Sequence, residues 1–273
     1  MGKTQVSEAQ QQRWNEDGYL VVPRLFDAEE MDLLITIGKA DQDMDKALAK
    51  RDAQGGVSRL RLRNELYDDI YSACVRSHRV VDMMEGLLGD EVYHFHHKMM
   101  LKEPRVGGAW EWHQDYGYWY KFNACLYPDM ASCMIAVDRA TKENGCLQVI
   151  KGSHKIGRVE HGTTGDQAGA DMERVNVALE RLELVYCEMN PGDALFFHAN
   201  TLHRSDQNRS ENPRWSLICC YNTKHNDPFK DVPGGHPRYS YLDRWPDSKV
   251  KEVGRRQLAE AREQTSSLAA APA

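Results

Sequence analysis

Two hydrophobic rhythms divide the chain near Glu91. Upstream, apolar residues recur at helical spacing. Met31, Leu34, Ile35 and Gly38 follow Asp27-Ala28-Glu29-Glu30, which has the form of a capping box, and Ser7-Glu8-Ala9-Gln10 has the same form before a more polar segment. Ser77 reads as the cap of a further helix carrying Val80, Val81, Met84, Leu87 and Leu88, with Gly89 as its stop. Tyr19 to Val22, closed by Pro23, reads as a short strand. The first ninety residues are therefore expected to be mainly helical.

Downstream the period shortens. VYHFHHKMMLK, ASCMIAVD, CLQVI, LELVYCEM, ALFFHA and RWSLICCYN are short runs rich in β-branched, aromatic and sulfur side chains, separated by the turn signals ENG, KGS, NPGD and ENP. This is the rhythm of a sandwich or closed sheet. No long helical pattern separates the runs, which argues against parallel βαβ units. The chain shows no internal repeat and no linker rich in Gly or Pro, so residues 1–258 are expected to form one domain. Residues 259–273, polar and Ala-rich, are expected to form a tail that starts helical and then frays.

Composition narrows the partners. The 273 residues are 41% hydrophobic and 28% charged, ordinary for a folded domain, and the net charge of -6 offers no positive field for nucleic acid or an anionic membrane. A small-molecule partner is expected instead, and the sequence leaves the oligomeric state unknown. No apolar run reaches the length of a membrane span, and the N-terminal MGKTQVSEAQQQ lacks the apolar core of a signal peptide. Seven cysteines without CxxC pairing read as reduced and mostly buried, which together with the missing leader suggests a cytoplasmic setting.

The candidate chemistry begins at AWEWHQDYGYWY, where six rings surround His113 and Asp115. His-x-Asp alone is a weak signal, since His225-Asn226-Asp227 repeats it. The two differ in their downstream sequence: from His113 the chain passes through several strands to ALFFHANTLHRSDQN, with His203, and Arg214 comes 11 residues later. A mononuclear Fe(II) site that activates O2 takes two imidazoles and one carboxylate on one face and leaves positions for a chelating cosubstrate. In an extended segment His113 and Asp115 point the same way. His203, beyond the strand from Ala194 to Ala199, supplies the third ligand. 2-Oxoglutarate, as chelating cosubstrate, needs an anchor for its far carboxylate, and Arg pairs bidentately with carboxylates. By alternation Arg214 shares a face with Ser216, Ile218 and Cys220, so a buried guanidinium there needs an anionic partner. A salt bridge from Arg214 to Asp206 or Glu211 is the rival reading.

In this order the residues resemble the phytanoyl-CoA dioxygenase family of Fe(II)/2-oxoglutarate-dependent oxygenases. DGYLVV, LKEP, ENGCLQVIKGSHK and NPGDALFFHANTLHRSDQN extend the likeness over roughly residues 17–222. The resemblance implies a mainly β, double-stranded β-helix (jelly roll) fold with flanking N-terminal α-helices. It further implies Fe(II) on His113, Asp115 and His203, with 2-oxoglutarate and O2 as co-reactants. Within that family the chain is similar to the ectoine hydroxylases, which implies that Trp119, Ser205, His96 and Ser132 join Arg214 in seating the cosubstrate. The continuation after His113 departs from theirs at Gln114, Tyr116, Gly117, Tyr118 and Tyr120, as does His96 where a Gln is expected, which argues against ectoine itself. Family halogenases replace the Asp ligand with a small residue. Asp115 is retained, so hydroxylation of a small-molecule C–H bond, with release of succinate and CO2, is the expected outcome. Desaturation, cyclisation or epoxidation at the same iron, and a non-catalytic metal-binding sensor, are the alternatives.

Trp112, Tyr116 and Tyr118 are expected to border the substrate pocket, because a stretch holding two metal ligands must face the cavity. Alternation places His94 and His96 on one face of their strand and His97 on the other. An acyl-CoA substrate would want a basic patch for its phosphates, and only RLRLR and RSHR, upstream, offer one.

Overall fold

The protein is described by a computed structural model covering residues 5–269. Its elements, in order, are α1 (Glu8–Asp17), β1 (Tyr19–Val22), α2 (Ala28–Ala40), β2 (Leu48–Arg51), β3 (Val57–Arg63), α3 (Ile70–Arg76), α4 (His78–Leu88) and β4 (Val92–Lys102). Then come β5 (Trp110–His113), α5 (Asp115–Asn123), β6 (Met130–Ala136), β7 (Leu147–Ile150), β8 (His161–Thr164), β9 (Gln167–Ala170) and α6 (Met172–Arg181). The last are β10 (Leu184–Cys187), β11 (Ala194–His198), β12 (His203–Ser205), β13 (Arg214–Thr223) and α7 (Lys249–Ala269).

Both capping boxes form. Ser7 and Asp27 accept from the amides of Gln10 and Glu30, whose side chains accept from the cap amides in return. Ser77 behaves differently: its hydroxyl donates to the Cys74 carbonyl and closes α3 instead of capping α4. Gly89 ends α4 in the left-handed conformation, with φ 74°.

The strands build a seven-stranded sheet, β1-β11-β6-β13-β4-β3-β2, facing a four-stranded one, β10-β7-β12-β5, with β8-β9 as a separate ribbon. Every ladder is antiparallel. This is the double-stranded β-helix, with helices on the outside of the large sheet. Apolar side chains gather in three places. One cluster lies between α2, α3, α4, α7 and the outer face of the large sheet, and includes Leu34, Val81, Phe196 and Leu217. A second fills the space between the two sheets, with Phe95, Met134, Val149 and Phe197. The third lies beneath the small sheet against α6, with Trp112, Ile150, Val175 and Leu202.

Three features go beyond the sequence pattern. The N-terminal third holds the helices α1 to α4, as expected, but the RLRLR alternation also builds β3, which pairs with β2 and with β4. Two helices interrupt the β region. α6 buries Val175 and Ala178, and α5 occupies the aromatic stretch. Neither creates a parallel crossover. Finally, α7 runs unbroken through Leu258, where the sequence predicts the tail to begin; the last four residues, 270–273, lie outside those described.

Strand β4 also departs from simple alternation. Cys220 pairs with His96 and Tyr221 with His94, so Phe95 is an extra residue, a β-bulge. The face reverses there. Phe95 and His96 both turn inward, while His94 and His97 meet outside, Nε2 to Nδ1 at 3.0 Å. Beyond the bulge Lys98, Met100 and Lys102 follow His96 on the inner face.

Candidate functional site

His113 ends β5 and His203 begins β12, and the two are direct ladder partners with ring centroids 4.0 Å apart. Asp115 does not lie in an extended segment: it is the first residue of α5, and the turn at Gln114 swings its carboxylate back towards both rings. Asp115 Oδ1 stands 3.7 Å from His113 Nε2 and 3.8 Å from His203 Nε2, and one ligand atom from each of the three residues lies within 4.8 Å of the others. These separations exceed a hydrogen bond and suit three atoms sharing one ion.

The protonation pattern fits an ion as well. His113 Nδ1 donates to the Glu111 carbonyl at 2.7 Å and His203 Nδ1 to the Thr201 carbonyl at 2.9 Å. A carbonyl only accepts, so each Nδ1 carries the proton and each Nε2 presents a lone pair to the centre. Burial, reinforced at His113 by the neighbouring His203, pushes that imidazole far below its ordinary pKa, and burial lowers His203 too. Both rings are therefore neutral, the form a metal binds. Ser132 on β6 donates to Asp115 Oδ2 at 2.8 Å, which orients the carboxylate and leaves Oδ1 for the centre.

Gln114 clamps the turn between the two motif residues. Its side-chain amide donates to the carbonyls of Gly157 and Asn200, its oxygen accepts from Val159, and its backbone N–H donates to His161 Nε2 at 2.9 Å. Gly117, one turn into α5, lies so close to His161 that a Cβ there would come within 2.1 Å of the ring. Neither Gln114 nor His161 stands out in the sequence as part of such a clamp, because it closes between segments 47 residues apart.

A cavity of about 510 Å³ opens beside the three residues. Asp115, Tyr118, Trp119 and Phe122, spaced i, i+3, i+4 and i+7, present one face of α5 to it. His96, Lys98 and Trp110 line it from β4 and β5, and Val232 to His236 form the opposite wall. His96 stacks on His236 at 4.1 Å, and His96 Nδ1, buried, has no partner among the described residues. Two expected pocket residues lie elsewhere. Trp112 packs into the cluster beneath the small sheet, because the β5–β12 register shifts between the His113/His203 and Trp110/Ser205 pairs and brings Trp110, not Trp112, to the pocket side with His113. Tyr116, in helical rather than extended backbone, turns away from Tyr118; its ring sits in the core and its hydroxyl donates to the Leu126 carbonyl.

Deeper in the barrel, Arg214 is 3% exposed and Lys102 2%. Arg214 donates to Ser216 Oγ at 3.2 Å and the Gly145 carbonyl at 2.8 Å, while its Nε has no partner among the described residues. Neither acid of the rival reading reaches it, for Asp206 pairs with Arg204 and Glu211 with Arg105. Lys102 donates to Ser205 Oγ at 2.9 Å and to the Asp206 carbonyl. Burial lowers the Arg214 pKa to about 10, and burial with the Arg214 charge pulls Lys102 well below its ordinary value. Neither basic group has a contacting carboxylate, and a bound anion would offset the burial of both and favour the charged form of Lys102. Lys102 sits inside LKEP, but nothing local marks it as inward-facing.

The second His-x-Asp motif has a different fate. His225 bridges Asp90 and Asp129 at the surface, and Asp227 holds Arg238. All seven cysteines are free and buried.

A jelly roll with a buried His/Asp/His cluster beside an open cavity is the frame of a non-haem Fe(II)- and 2-oxoglutarate-dependent oxygenase. Residues 14–216 match the family model described as phytanoyl-CoA dioxygenase, and the chain belongs to that family. It is 28% identical over 236 residues to L-proline trans-4-hydroxylase of Streptomyces griseoviridis, covering 81% of this chain and 88% of that one. It is 25% identical over 272 residues to ectoine dioxygenase of Sphingopyxis alaskensis, covering 93% and 88%. The fold superposes on the crystal structure of EctD from S. alaskensis with 2-oxoglutarate and 5-hydroxyectoine, with TM-score 0.72, 24% identity and 89% coverage of each chain. The enzyme is thus an Fe(II)/2-oxoglutarate-dependent dioxygenase.

Proposed function

We propose that His113, Asp115 and His203 hold Fe(II), that Arg214 and Lys102 with Ser205 grip the far carboxylate of 2-oxoglutarate, and that the enzyme hydroxylates a C–H bond of a small molecule. The observation that carries this reading is the convergence of two neutral Nε2 atoms and Asp115 Oδ1 on one point. Iron bound there, with O2 and 2-oxoglutarate, supplies the oxidising equivalent for oxygen insertion, with succinate and CO2 as co-products.

The chain's own part is orientation. The Glu111 and Thr201 carbonyls fix the two rings, and Ser132 fixes the carboxylate. Arg214 and Lys102 neutralise the cosubstrate's distal charge and set its depth in the barrel. Trp119 and His96 line the space that the cosubstrate shares with the substrate. The aromatic face of α5, with Trp110, excludes water from the reacting centre. The retained Asp115 favours hydroxylation. The cavity falls in the range of small-ligand sites, and the relatives' named substrates, proline and ectoine, are of that size.

Acyl-CoA is disfavoured. In RLRLR, Arg61 and Arg63 are engaged by Asp41, Asp43 and Asp69, and in RSHR, Arg79 is engaged by Glu30, so these guanidiniums do not form a free phosphate patch. A cytoplasmic setting belongs to the same proposal, supported by the seven free, buried thiols; among the described residues no helix is long and apolar enough to cross a membrane. The test is succinate release from 2-oxoglutarate with Fe(II), in wild type and His113→Ala. Activity in the wild type that is lost in the variant is the expected result, and undiminished turnover in His113→Ala overturns the ligand assignment.

A further inference from the structure

The cavity's charges point to the kind of substrate it accepts. Lys98 follows the bulge in β4 on the inner face and lines the cavity with His96, His113 and Asp115. Its ammonium forms no hydrogen bond or ion pair among the described residues. Lys98 shares that lining with His236 and with Trp110 and Trp119, on the same cavity wall as the proposed ligands. A second ammonium, Lys50, stands on the cavity wall formed by β2. Among the described residues the only carboxylate lining the cavity is Asp115, which faces the two histidines and is held by Ser132.

A lysine that is partly buried, unpaired and beside a site for a divalent cation is costly unless something offsets its charge. The distal carboxylate of 2-oxoglutarate already has two cations of its own in Arg214 and Lys102, farther down the barrel. Lys98 is therefore surplus to that anchor. Around it the walls are aromatic and aliphatic, from Leu60, Leu62, Trp110, Tyr118, Trp119 and Phe122. The arrangement is one cation in an apolar, aromatic chamber of small-molecule size.

We propose that Lys98 is the specificity-determining residue of this oxygenase and selects small substrates that carry an oxyanion, a carboxylate or a phosphonate. The substrate's anionic group docks on Lys98, and its hydrocarbon part lies along the aromatic face of α5, next to the iron. This rests on the oxygenase reading above and adds the substrate class to it.

The test reads binding separately from turnover. Under argon, the Fe(II)- and 2-oxoglutarate-loaded protein is titrated with matched pairs: L-proline and L-prolinamide, L-pipecolate and its amide, methylphosphonate and its dimethyl ester. The charge-transfer absorption of the loaded protein and calorimetry report binding, in wild type, Lys98→Met and Lys98→Arg. In parallel, substrate-free succinate release and the KM for 2-oxoglutarate are measured in air. The expected result is that at least one acid binds more tightly than its neutral partner. Lys98→Met should weaken that acid by roughly 10- to 150-fold, as loss of a charge-assisted hydrogen bond does, and leave the neutral compounds unchanged. Lys98→Arg should keep most of the affinity, and the 2-oxoglutarate KM should move less than about 3-fold in either variant, below the loss expected for a direct contact. Neutral partners that bind as well as every acid overturn the proposal, as does a Lys98→Met effect confined to the 2-oxoglutarate KM. Both results leave the oxygenase reading intact. A wild type that binds neither Fe(II) nor 2-oxoglutarate sinks that reading, and this proposal with it.

Discussion

At the scale of single residues, the proposed site separates groups that would touch the iron from groups that aim them. His113→Ala or His203→Ala should reduce Fe(II) affinity more than about 100-fold, beyond the roughly 10- to 100-fold that loss of an outer partner costs, whereas Ser132→Ala should stay within that smaller range. Equilibrium dialysis of the three variants checks the order. At the other end of the barrel, Lys102→Met should raise the KM for 2-oxoglutarate by roughly 10- to 150-fold with a smaller change in kcat, because the carboxylate keeps Arg214 but loses a charge-assisted donor. An unchanged KM would show that Lys102 serves only the Ser205 and Asp206 contacts. Arg214 is legible in the sequence: its inward face follows from alternation with Ser216, Ile218 and Cys220, and all four are buried. Lys102 is not, because a lysine in a short motif looks solvated until its strand is placed between two sheets.

Among elements, α5 and the bulge of β4 differ most from their sequence patterns. The run DYGYWYKF reads as a dense aromatic stretch with no assigned element, yet it carries Asp115, Tyr118, Trp119 and Phe122 at i, i+3, i+4 and i+7. That helical spacing is masked by the density of rings, a residue type enriched in strands. The bulge at Phe95 leaves no comparable mark, since an extra residue on one strand is defined only by the partner strand. Its consequence is large, for it sends His96, Lys98 and Lys102 into the barrel while His94 and His97 remain outside. The helix start is held by close packing of Gly117 on His161, so Gly117→Ala should destabilise the fold by about 1–3 kcal/mol and weaken Fe(II) binding through Asp115. His161→Ala in the same chain should restore part of the loss. Thermal melts and iron titrations of the two single variants and the double variant measure that coupling.

For the whole molecule, buried neutral histidines set the response to acid. Burial lowers the pKa of His94 to about 3 and of His198 to about 4, against about 6.5 in the unfolded chain. Below that unfolded value the unfolded chain binds protons that the folded chain refuses. Their stabilisation is thus complete above about pH 6.5 and declines as pH falls towards the folded values, by ~2 kcal/mol for each group at about pH 5. Melts of metal-free protein should therefore show a lower Tm at about pH 5 than at about pH 7, and His94→Gln should flatten that dependence. The overall architecture is well announced in the chain. The change of period near Glu91, the turn signals and the two capping boxes are local properties, and local properties survive without a fold.

The amino-acid sequence by itself therefore determined a sandwich or closed sheet, which the family resemblance of its motifs narrowed to a jelly roll, together with most of the strands, the order of the His, Asp, His and Arg signals and the reduced state expected of the thiols, because periodicity, capping and side-chain chemistry are written within a few residues of each position. Only the tertiary structure decided that Asp115 reaches the histidines from a helix start, that Trp112 and Tyr116 leave the cavity while Trp110 and Lys98 enter it, and that Lys102 stands beside Arg214. Each of these depends on register, on a bulge or on packing between segments tens of residues apart, where the energy lies in the pairing and not in either partner alone.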